Sequence, residues 1–180
     1  GREYIRQSLA AWKKYGGGNY TEVGDDNTSM STFNGRTATR GDIRIGGIAL
    51  GTNGVLAYNA FPTTAGLGLI AGGDMCINTS YFITNNFNST TNDYRYFRNT
   101  VTHEHGHGLG YIHVVPCNFT KIMEPQISGT TPGMSVDERR GIAYNYGDRF
   151  TPNQSFGTAA DFGNLTSPSL RSVIERDLAA

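Results

Sequence analysis

The amino-acid sequence predicts an α+β fold, in which three main helices pack against one twisted, mixed β-sheet. Three segments carry apolar or capping residues at helical spacing, and short β-like runs lie between the first and the second of them. The order helix, strands, helix, irregular segment, helix is typical of this class. The chain has 180 residues, which suffices for one domain with a sizeable core at roughly 100–200 residues per domain.

The first helix is predicted over residues 2–15. Ile5, Leu9 and Trp12 recur at spacings of four and three, which places them on one helix face. Three consecutive glycines at positions 16–18 end this helix, because glycine loses more backbone entropy in a helix than any other residue.

The middle of the chain predicts strands followed by a second helix. The strand segments are short β-like runs between turns rich in Gly, Asn, Asp and Thr, at residues 20–23, 42–50, 55–58 and 69–77. The second helix is predicted at about residues 94–109, where Phe97 and Val101 lie one turn apart.

The third helix is predicted over residues 136–146. Ser135 followed by Glu138 forms a capping box at its start, and Gly147 occupies the position of a C-terminal glycine cap. Residues 148–180 begin as a linker-like stretch and then return to helical spacing. We expect them to form a C-terminal tail or the start of a following module.

The composition excludes several classes of protein. Fifteen Lys and Arg balance fifteen Asp and Glu, so the chain lacks the basic surface of a nucleic-acid binder. No apolar stretch reaches the roughly 18–20 residues that span a bilayer. The charged, amphipathic opening of the chain leads us to expect no signal peptide in this sequence. We therefore expect either a cytosolic protein or the mature part of an exported one. Cys76 and Cys117 allow one disulfide, two free thiols or metal ligation.

All four histidines lie between residues 103 and 113. In a helix, His103 and His107 are one turn apart and point to the same side, as two ligands of one metal must. Glu104 projects beside them, where a carboxylate can act on a metal-bound water. Gly110 permits a sharp turn that would return His113 as a third ligand. Three imidazoles and an open fourth position predict a catalytic zinc site, because structural sites have four protein ligands.

The spacing His103-Glu104-x-x-His107-x-x-Gly110-x-x-His113 resembles the extended zinc-binding signature of the metzincin metalloproteinases. Downstream, Ile122-Met123-Glu124-Pro125 resembles the methionine turn of this clan, in the Met-x-Pro form of the matrixins, the matrix metalloproteinase family. The resemblance covers about residues 1–147. It implies a zincin-like catalytic domain, with an active-site cleft between an upper subdomain (residues 1–113) and a small lower subdomain (residues 114–147).

The resemblance also implies a function, which is that of a secreted zinc endopeptidase with one catalytic Zn²⁺. The implied roles are metal ligands at His103, His107 and His113, a general base at Glu104, and site support from Gly110 and Met123. Leu56 and Ala57 match the edge strand that binds an extended substrate. Pro125 and Ile127 match the wall of the pocket for the residue after the scissile bond. We expect a monomer acting on a protein or peptide, without a nucleic-acid or membrane partner.

Two other functions stay open at this point. The chain could be a non-catalytic, zinc-containing binding or adhesion module on the same scaffold, although an intact Glu104 argues against it. It could also be a zinc hydrolase acting on a non-peptide amide, which the eleven-residue motif disfavours.

The sequence departs from the matrixin pattern at the second, structural zinc site. Tyr58 and Cys76 stand where the family has two of its zinc-binding histidines, so we predict that this site is absent. A disulfide between Cys76 and Cys117 is the preferred replacement for the lost cross-brace. His105 lies roughly 200° around the helix from the metal ligands, and we expect it to be a hydrogen-bonded structural residue.

Two further departures concern calcium and the substrate pocket. Asn78 and Tyr81 replace acidic residues of an adjoining calcium site, whereas Asp74 remains, so any Ca²⁺ site is expected to be weak. Glu124 stands where the family usually has tyrosine, which leaves the shape and charge of the pocket open.

Overall fold

A computed structural model describes residues 1–16, 18–24, 27, 43–61, 73–84 and 86–147. These residues form the predicted α+β arrangement of three α-helices and a three-stranded mixed sheet. The helices are α1 (Arg2–Lys13), α2 (Arg95–Gly108) and α3 (Val136–Tyr146), and the strands are β1 (Ile45–Ile48), β2 (Ala57–Asn59) and β3 (Met75–Asn78). Among the described residues, no helix is both long and apolar enough to cross a membrane.

The sheet has the order β1-β3-β2, with β3 parallel to β1 and antiparallel to β2. Strand β3 is buried along its whole length because it lies between the other two strands. Strand β2 therefore lies at an edge of the sheet that the described residues form. Its Ala57 pairs with Ile77, and its Tyr58 pairs with Cys76.

The strand predicted at residues 20–23 is wrong. These residues form no strand, and two of their side chains bind helices instead. Glu22 pairs with Arg6 of α1 at 2.7 Å, and the Tyr20 hydroxyl contacts His105 of α2 at 2.7 Å. The other strands are shorter than predicted, and the predicted positions 42 and 69–72 lie outside the described residues.

The three helices agree closely with the sequence predictions. Helix α3 has the predicted bounds, and its capping box is confirmed: Ser135 Oγ accepts from the Asp137 amide at 3.2 Å, while Glu138 Oε2 accepts from the Ser135 amide at 2.6 Å. Gly147 follows with a φ of 71°, a conformation that favours glycine.

Two clusters of buried apolar side chains hold the helices together. One lies between the sheet and the first half of α2 and contains Met75, Ile77, Tyr81, Phe87, Phe97 and Val101. The other joins α1 and α3 to the chain that follows α2 and contains Trp12, Ile122, Met123, Met134 and Ile142. Trp12 is fully buried, and its indole N–H donates to the Thr102 carbonyl of α2 at 2.9 Å. Because replacing a buried tryptophan by alanine typically costs about 3–5 kcal/mol, this residue is a principal anchor between α1 and α2.

The disulfide predicted between the two cysteines is wrong. Both residues are free: Cys76 is buried in the central strand, whereas Cys117 is exposed in the chain after α2. The Cys76 thiol instead meets the hydroxyl of Tyr58, its cross-strand neighbour, and this hydrogen bond together with burial raises the pKa of Tyr58 to about 12.

The side chains expected to form a weak calcium site have other partners. The Asp74 carboxylate is buried and accepts from the backbone amide of Arg44 at 2.9 Å and from its guanidinium at 3.0 and 3.1 Å. Asn78 Oδ1 accepts from the amides of Leu50 and Ser80 at 3.0 and 3.1 Å. These contacts use some of the lone pairs on the Asp74 and Asn78 oxygens, and the weak Ca²⁺ site stays a prediction.

Candidate metal centre

Helix α2 is buried from Asn99 to Gly108, which is unusual for a helix with so many polar residues. Two glycines allow neighbouring elements to approach its backbone closely. A Cβ atom at Gly106 would lie 2.4 Å from Met123 Sδ, and one at Gly108 would lie 2.9 Å from the Gly73 Cα. The small residues of the motif therefore bring the chain after α2 and the sheet directly against the helix that carries the histidines.

The structure brings the three predicted ligands together. His103 and His107 are buried in α2, and the exposed His113 returns to them from the following loop. His113 Nε2 lies 3.1 Å from His107 Nε2 and 3.2 Å from His103 Nε2. The three ligand atoms all lie within 4.8 Å of one another, so this group could hold a metal ion.

Gly110 makes the turn that returns His113. It has a φ of 93°, which side chains rarely adopt. Its amide donates to the His107 carbonyl, and the Tyr111 amide donates to the Gly106 carbonyl, both at 2.9 Å. These bonds satisfy the last carbonyls of α2 and reverse the chain, as the sequence predicted.

The protein backbone fixes the orientation of the two buried imidazoles. His103 Nδ1 lies 2.7 Å from the Ile122 carbonyl, and His107 Nδ1 lies 2.7 Å from the Tyr111 carbonyl. Since a carbonyl oxygen only accepts, each Nδ1 must carry the hydrogen. Each Nε2 then presents a lone pair towards the common centre. Metal-ligating histidines are normally held in this way, by a hydrogen bond from the ring nitrogen that does not bind the metal.

Burial keeps these imidazoles neutral. It lowers the pKa of His103 to about 4, an effect that the Ile122 carbonyl opposes and the two neighbouring histidines increase. Burial also lowers the pKa of His107, opposed by the Tyr111 carbonyl and assisted by His113. A neutral imidazole is the form that binds a metal, so both ligands are ready to bind at neutral pH.

Glu104 lies next to His103 in the sequence and is only 7% exposed. Burial raises the pKa of its carboxyl to about 7. A group with this pKa can both take up and release a proton at neutral pH, which is the property that general acid–base chemistry requires.

Met123 lies beneath the helix at the position predicted for site support. Its side chain is fully buried against Gly106. Its carbonyl accepts from the Val114 amide at 2.9 Å, and its amide donates to Glu138 Oε1 at 3.2 Å. Glu138 therefore joins the start of α3 to the turn below the histidines, a role beyond its predicted place in the capping box.

Glu124 also has a role that sequence reasoning missed. Its carboxylate is fully buried and accepts from the backbone amides of Phe119, Thr120 and Lys121 at 2.6, 2.9 and 2.9 Å. Burial alone would raise the pKa of this carboxyl, but the backbone hydrogen bonds outweigh it, and the pKa is lowered. The charge of Glu124 is therefore used to hold the preceding loop.

His105 has the structural role expected of it. It is fully buried, and its Nε2 lies 2.7 Å from the Tyr20 hydroxyl. Its ring also meets Trp12 edge-on, with ring centroids 6.4 Å apart. His105 thus links the back of α2 to residues 18–24 and to α1.

The four predicted substrate-binding residues lie in two places. Ala57 begins β2 and is buried, and Leu56 precedes it and packs on the first apolar cluster. Pro125 is exposed and Ile127 half-buried in the chain after Met123. Their role in substrate binding stays a prediction.

Neither the protein-family models nor the curated proteins searched give a match to the chain.

Proposed function

We propose that this protein is a secreted zinc endopeptidase of the metzincin type, similar to the matrixins. The observation that carries the proposal is the convergence of the three imidazole Nε2 atoms, separated by 3.1 and 3.2 Å at the two shortest contacts. His103 and His107 carry their hydrogens on Nδ1, so their Nε2 lone pairs face the same point. A metal cation placed among these nitrogens would be bound by their lone pairs.

Zinc fits this arrangement. In a tetrahedral site with Zn–N distances of about 2.0–2.1 Å, neighbouring ligand nitrogens are about 3.3–3.4 Å apart. The two shortest Nε2 separations are close to that value. Three protein ligands also leave a fourth position for water or substrate, as in catalytic zinc sites.

The reaction assigned to the site is hydrolysis of a peptide bond. A zinc ion, when bound, supplies a Lewis acid that polarises the peptide carbonyl and lowers the pKa of a bound water to about 7. The Glu104 carboxylate accepts a proton from the attacking water and then donates it to the nitrogen of the departing amine. Burial of Glu104 supports this role because it raises the pKa of the carboxyl to about 7, a value that suits both transfers.

Substrate binding is assigned to the edge strand and to the chain after Met123. Strand β2, at an edge of the described sheet, can pair with an extended peptide through backbone hydrogen bonds. In this proposal, Leu56 and Ala57 lie along the peptide, while Pro125 and Ile127 line the pocket for the residue after the scissile bond.

The test uses the full chain loaded with zinc, together with Glu104→Ala. We expect one zinc per chain in both proteins, and a loss of about 10²–10⁴-fold in kcat/KM on casein-derived peptides for the variant. Glu3→Ala, on an exposed position of α1, is the matched control and should keep full activity. Undiminished cleavage by Glu104→Ala would refute the mechanism. Zinc binding without cleavage of any peptide in a library would favour the non-catalytic binding module instead.

A further inference from the structure

The loop that leads into the edge strand is held by side chains from the end of the central strand. Residues 50–55, which we name the entry loop, precede β2 and contain no helix or strand. Residues 51–55 are exposed, and Gly51 and Gly54 have φ values of 76° and 93°, in the region that favours glycine. Because such a loop buries little apolar surface, its hydrogen bonds to the rest of the protein determine its position.

Asn78, the last residue of β3, binds both ends of the entry loop. Its side chain is fully buried. Its Nδ2 donates to the Gly51 carbonyl at 2.7 Å and to the Val55 carbonyl at 2.8 Å. Its Oδ1 accepts from the Leu50 amide at 3.0 Å and from the Ser80 amide at 3.1 Å. One side chain thus joins the start of the loop to its end.

The chemistry of these four partners requires an amide at position 78. Carbonyl oxygens only accept and backbone N–H groups only donate, so the nitrogen must face Gly51 and Val55, and the oxygen must face Leu50 and Ser80. A carboxylate of the same shape would instead present a charged acceptor to the two carbonyls. A cation such as Ca²⁺ could then bind among them, because carboxylate and carbonyl oxygens are the ligands that it prefers.

Two neighbouring side chains bind the remaining amides of the entry loop. Ser80 Oγ accepts from the Gly51 amide at 2.9 Å, and the Tyr81 hydroxyl accepts from the Gly54 amide at 2.9 Å. The ring of Tyr81 is buried in the first apolar cluster, which fixes the position of its hydroxyl. Residues 78–81 therefore hold the loop with neutral side chains alone.

We propose that Asn78 is a positioning residue whose amide takes the place of a cation: it holds two carbonyls of the entry loop together and so aligns the edge strand without a metal. Its backbone amide also donates to the Leu56 carbonyl at 2.9 Å, at the start of that strand. The consequence for catalysis rests on the proposed function, in which Leu56 and Ala57 lie along the peptide. Order in the entry loop is then independent of Ca²⁺ in this chain.

The experiment compares the zinc-loaded full chain with Asn78→Asp, without calcium and with Ca²⁺ at about 10 mM, which saturates sites with dissociation constants of about 10⁻⁴–10⁻³ M. We expect amide hydrogen exchange across residues 50–55 of the parent to be the same in both buffers. In the calcium-free variant it should be at least about tenfold faster, because two hydrogen bonds are lost and the carboxylate repels the carbonyls. Calcium should restore the protection in the variant, since the ion can bind the new carboxylate and both carbonyls.

Peptide cleavage supplies a second measurement. In calcium-free Asn78→Asp, KM for an extended peptide should rise by about tenfold while kcat changes less, because the edge strand contributes binding to substrate and transition state alike. Calcium should reverse this rise. A variant that merely contained less folded protein would show a lower apparent kcat with an unchanged KM.

Asn86→Asp is the matched control. Asn86 is exposed, and its Oδ1 accepts from the Thr84 hydroxyl at 3.4 Å, a contact that an aspartate keeps. We expect loop exchange, KM and the response to calcium to stay as in the parent. If Asn78→Asp folds in neither buffer, Tyr81→Phe keeps the buried ring and should speed exchange at the Gly54 amide, and the parent with and without calcium still tests metal independence.

The outcomes separate this inference from the proposed function. Unchanged loop exchange in calcium-free Asn78→Asp would overturn the role of Asn78, and protection of the parent by calcium would show that a cation, not the amide, holds the carbonyls. Faster exchange that calcium does not reverse would overturn the comparison with a cation. Faster exchange with an unchanged KM would overturn the link to peptide binding. If the parent cleaves no peptide, the proposed function fails, while exchange still reports whether Asn78 holds the entry loop.

Discussion

Helix α2 and the irregular segment of residues 114–135 both build the candidate metal centre, but different interactions hold them in place. The backbone groups of the helix hydrogen-bond to one another, and the helix supplies His103, Glu104 and His107 from consecutive turns. The segment contains no helix or strand. Its backbone is held by side chains: Glu124 accepts from three of its amides, Glu138 from two, and Asn99 donates to two of its carbonyls.

This difference indicates how the two halves of the site should respond to substitution. In the helix, we expect a single change to remove a proposed ligand or the proposed proton carrier and to leave the fold in place. In the irregular segment, a single buried carboxylate holds several backbone groups, so its loss costs folding free energy. We therefore expect substitutions in α2 to affect chemistry most and substitutions below it to affect stability most.

The largest expected effect is that of His107→Ala. Loss of a residue that only hydrogen-bonds to a metal ligand typically lowers metal affinity by about 10–100-fold. Removing one of the three ligands themselves should therefore lower zinc affinity by more than about 100-fold. Peptide cleavage should fall to background, because the site no longer holds the ion. Zinc titration with a competing chelator measures the first effect. Retained stoichiometric zinc with full cleavage would remove His107 from the ligand set.

Local signals predicted the fold elements, and long-range contacts account for the failures. Helix α3 has its predicted bounds because Ser135, Glu138 and Gly147 act within a few residues of sequence. Tyr20 looked like part of a strand, but its hydroxyl contact with the distant His105 decides its position. The prediction of a Cys76–Cys117 disulfide was wrong for a similar reason. No sequence pattern indicates that one thiol is buried and the other exposed.

The candidate site also combines features that local sequence signals predict with contacts that they do not. The spacing of the histidine motif, together with Gly110, is sufficient to predict the ligand cluster, because helix periodicity and one turn bring its members together. The contacts of Asn99 and Glu124 have no such signal. Each residue is an isolated polar side chain whose backbone partners are recognisable only once the chain has folded.

The second largest effect is expected for Glu138→Gln. The buried carboxylate accepts from Ser135 and Met123 through different oxygens, and an amide can offer only one acceptor to these two donors. We expect a loss of about 2 kcal/mol in the free energy of unfolding, measured by urea denaturation. Asp137→Asn is the matched control, since this neighbouring side chain is 68% exposed. Equal stability losses in the two variants would show that the Met123 contact adds nothing.

A smaller effect is expected where the two regions touch, for Gly106→Ala. The new methyl group would lie 2.4 Å from Met123 Sδ and 3.0 Å from Trp12 Cζ2. Better helix propensity offsets part of the overpacking, so a net loss of about 1 kcal/mol in unfolding free energy is expected. Combining it with Met123→Ala should cost less than the sum of the single changes, because the shortened side chain leaves room. If the losses in unfolding free energy of the two single variants simply add in the double variant, the contact with Met123 is not the source of the strain.

The smallest effect is the acid sensitivity that Glu124 gives to the irregular segment. Its carboxyl has a lower pKa in the folded protein than its ordinary value of 4.5, because backbone hydrogen bonds outweigh burial. The unfolded chain therefore binds a proton more readily, so this contribution to stability is present above about pH 4.5 and is lost as the pH falls through the folded pKa. Urea unfolding of the metal-free protein between pH 6 and 3 should show this loss, and Glu124→Gln should reduce the pH dependence while lowering stability at pH 6. An unchanged pH dependence would mean that the carboxylate is not what holds the Phe119–Lys121 amides, and that packing holds the irregular segment instead.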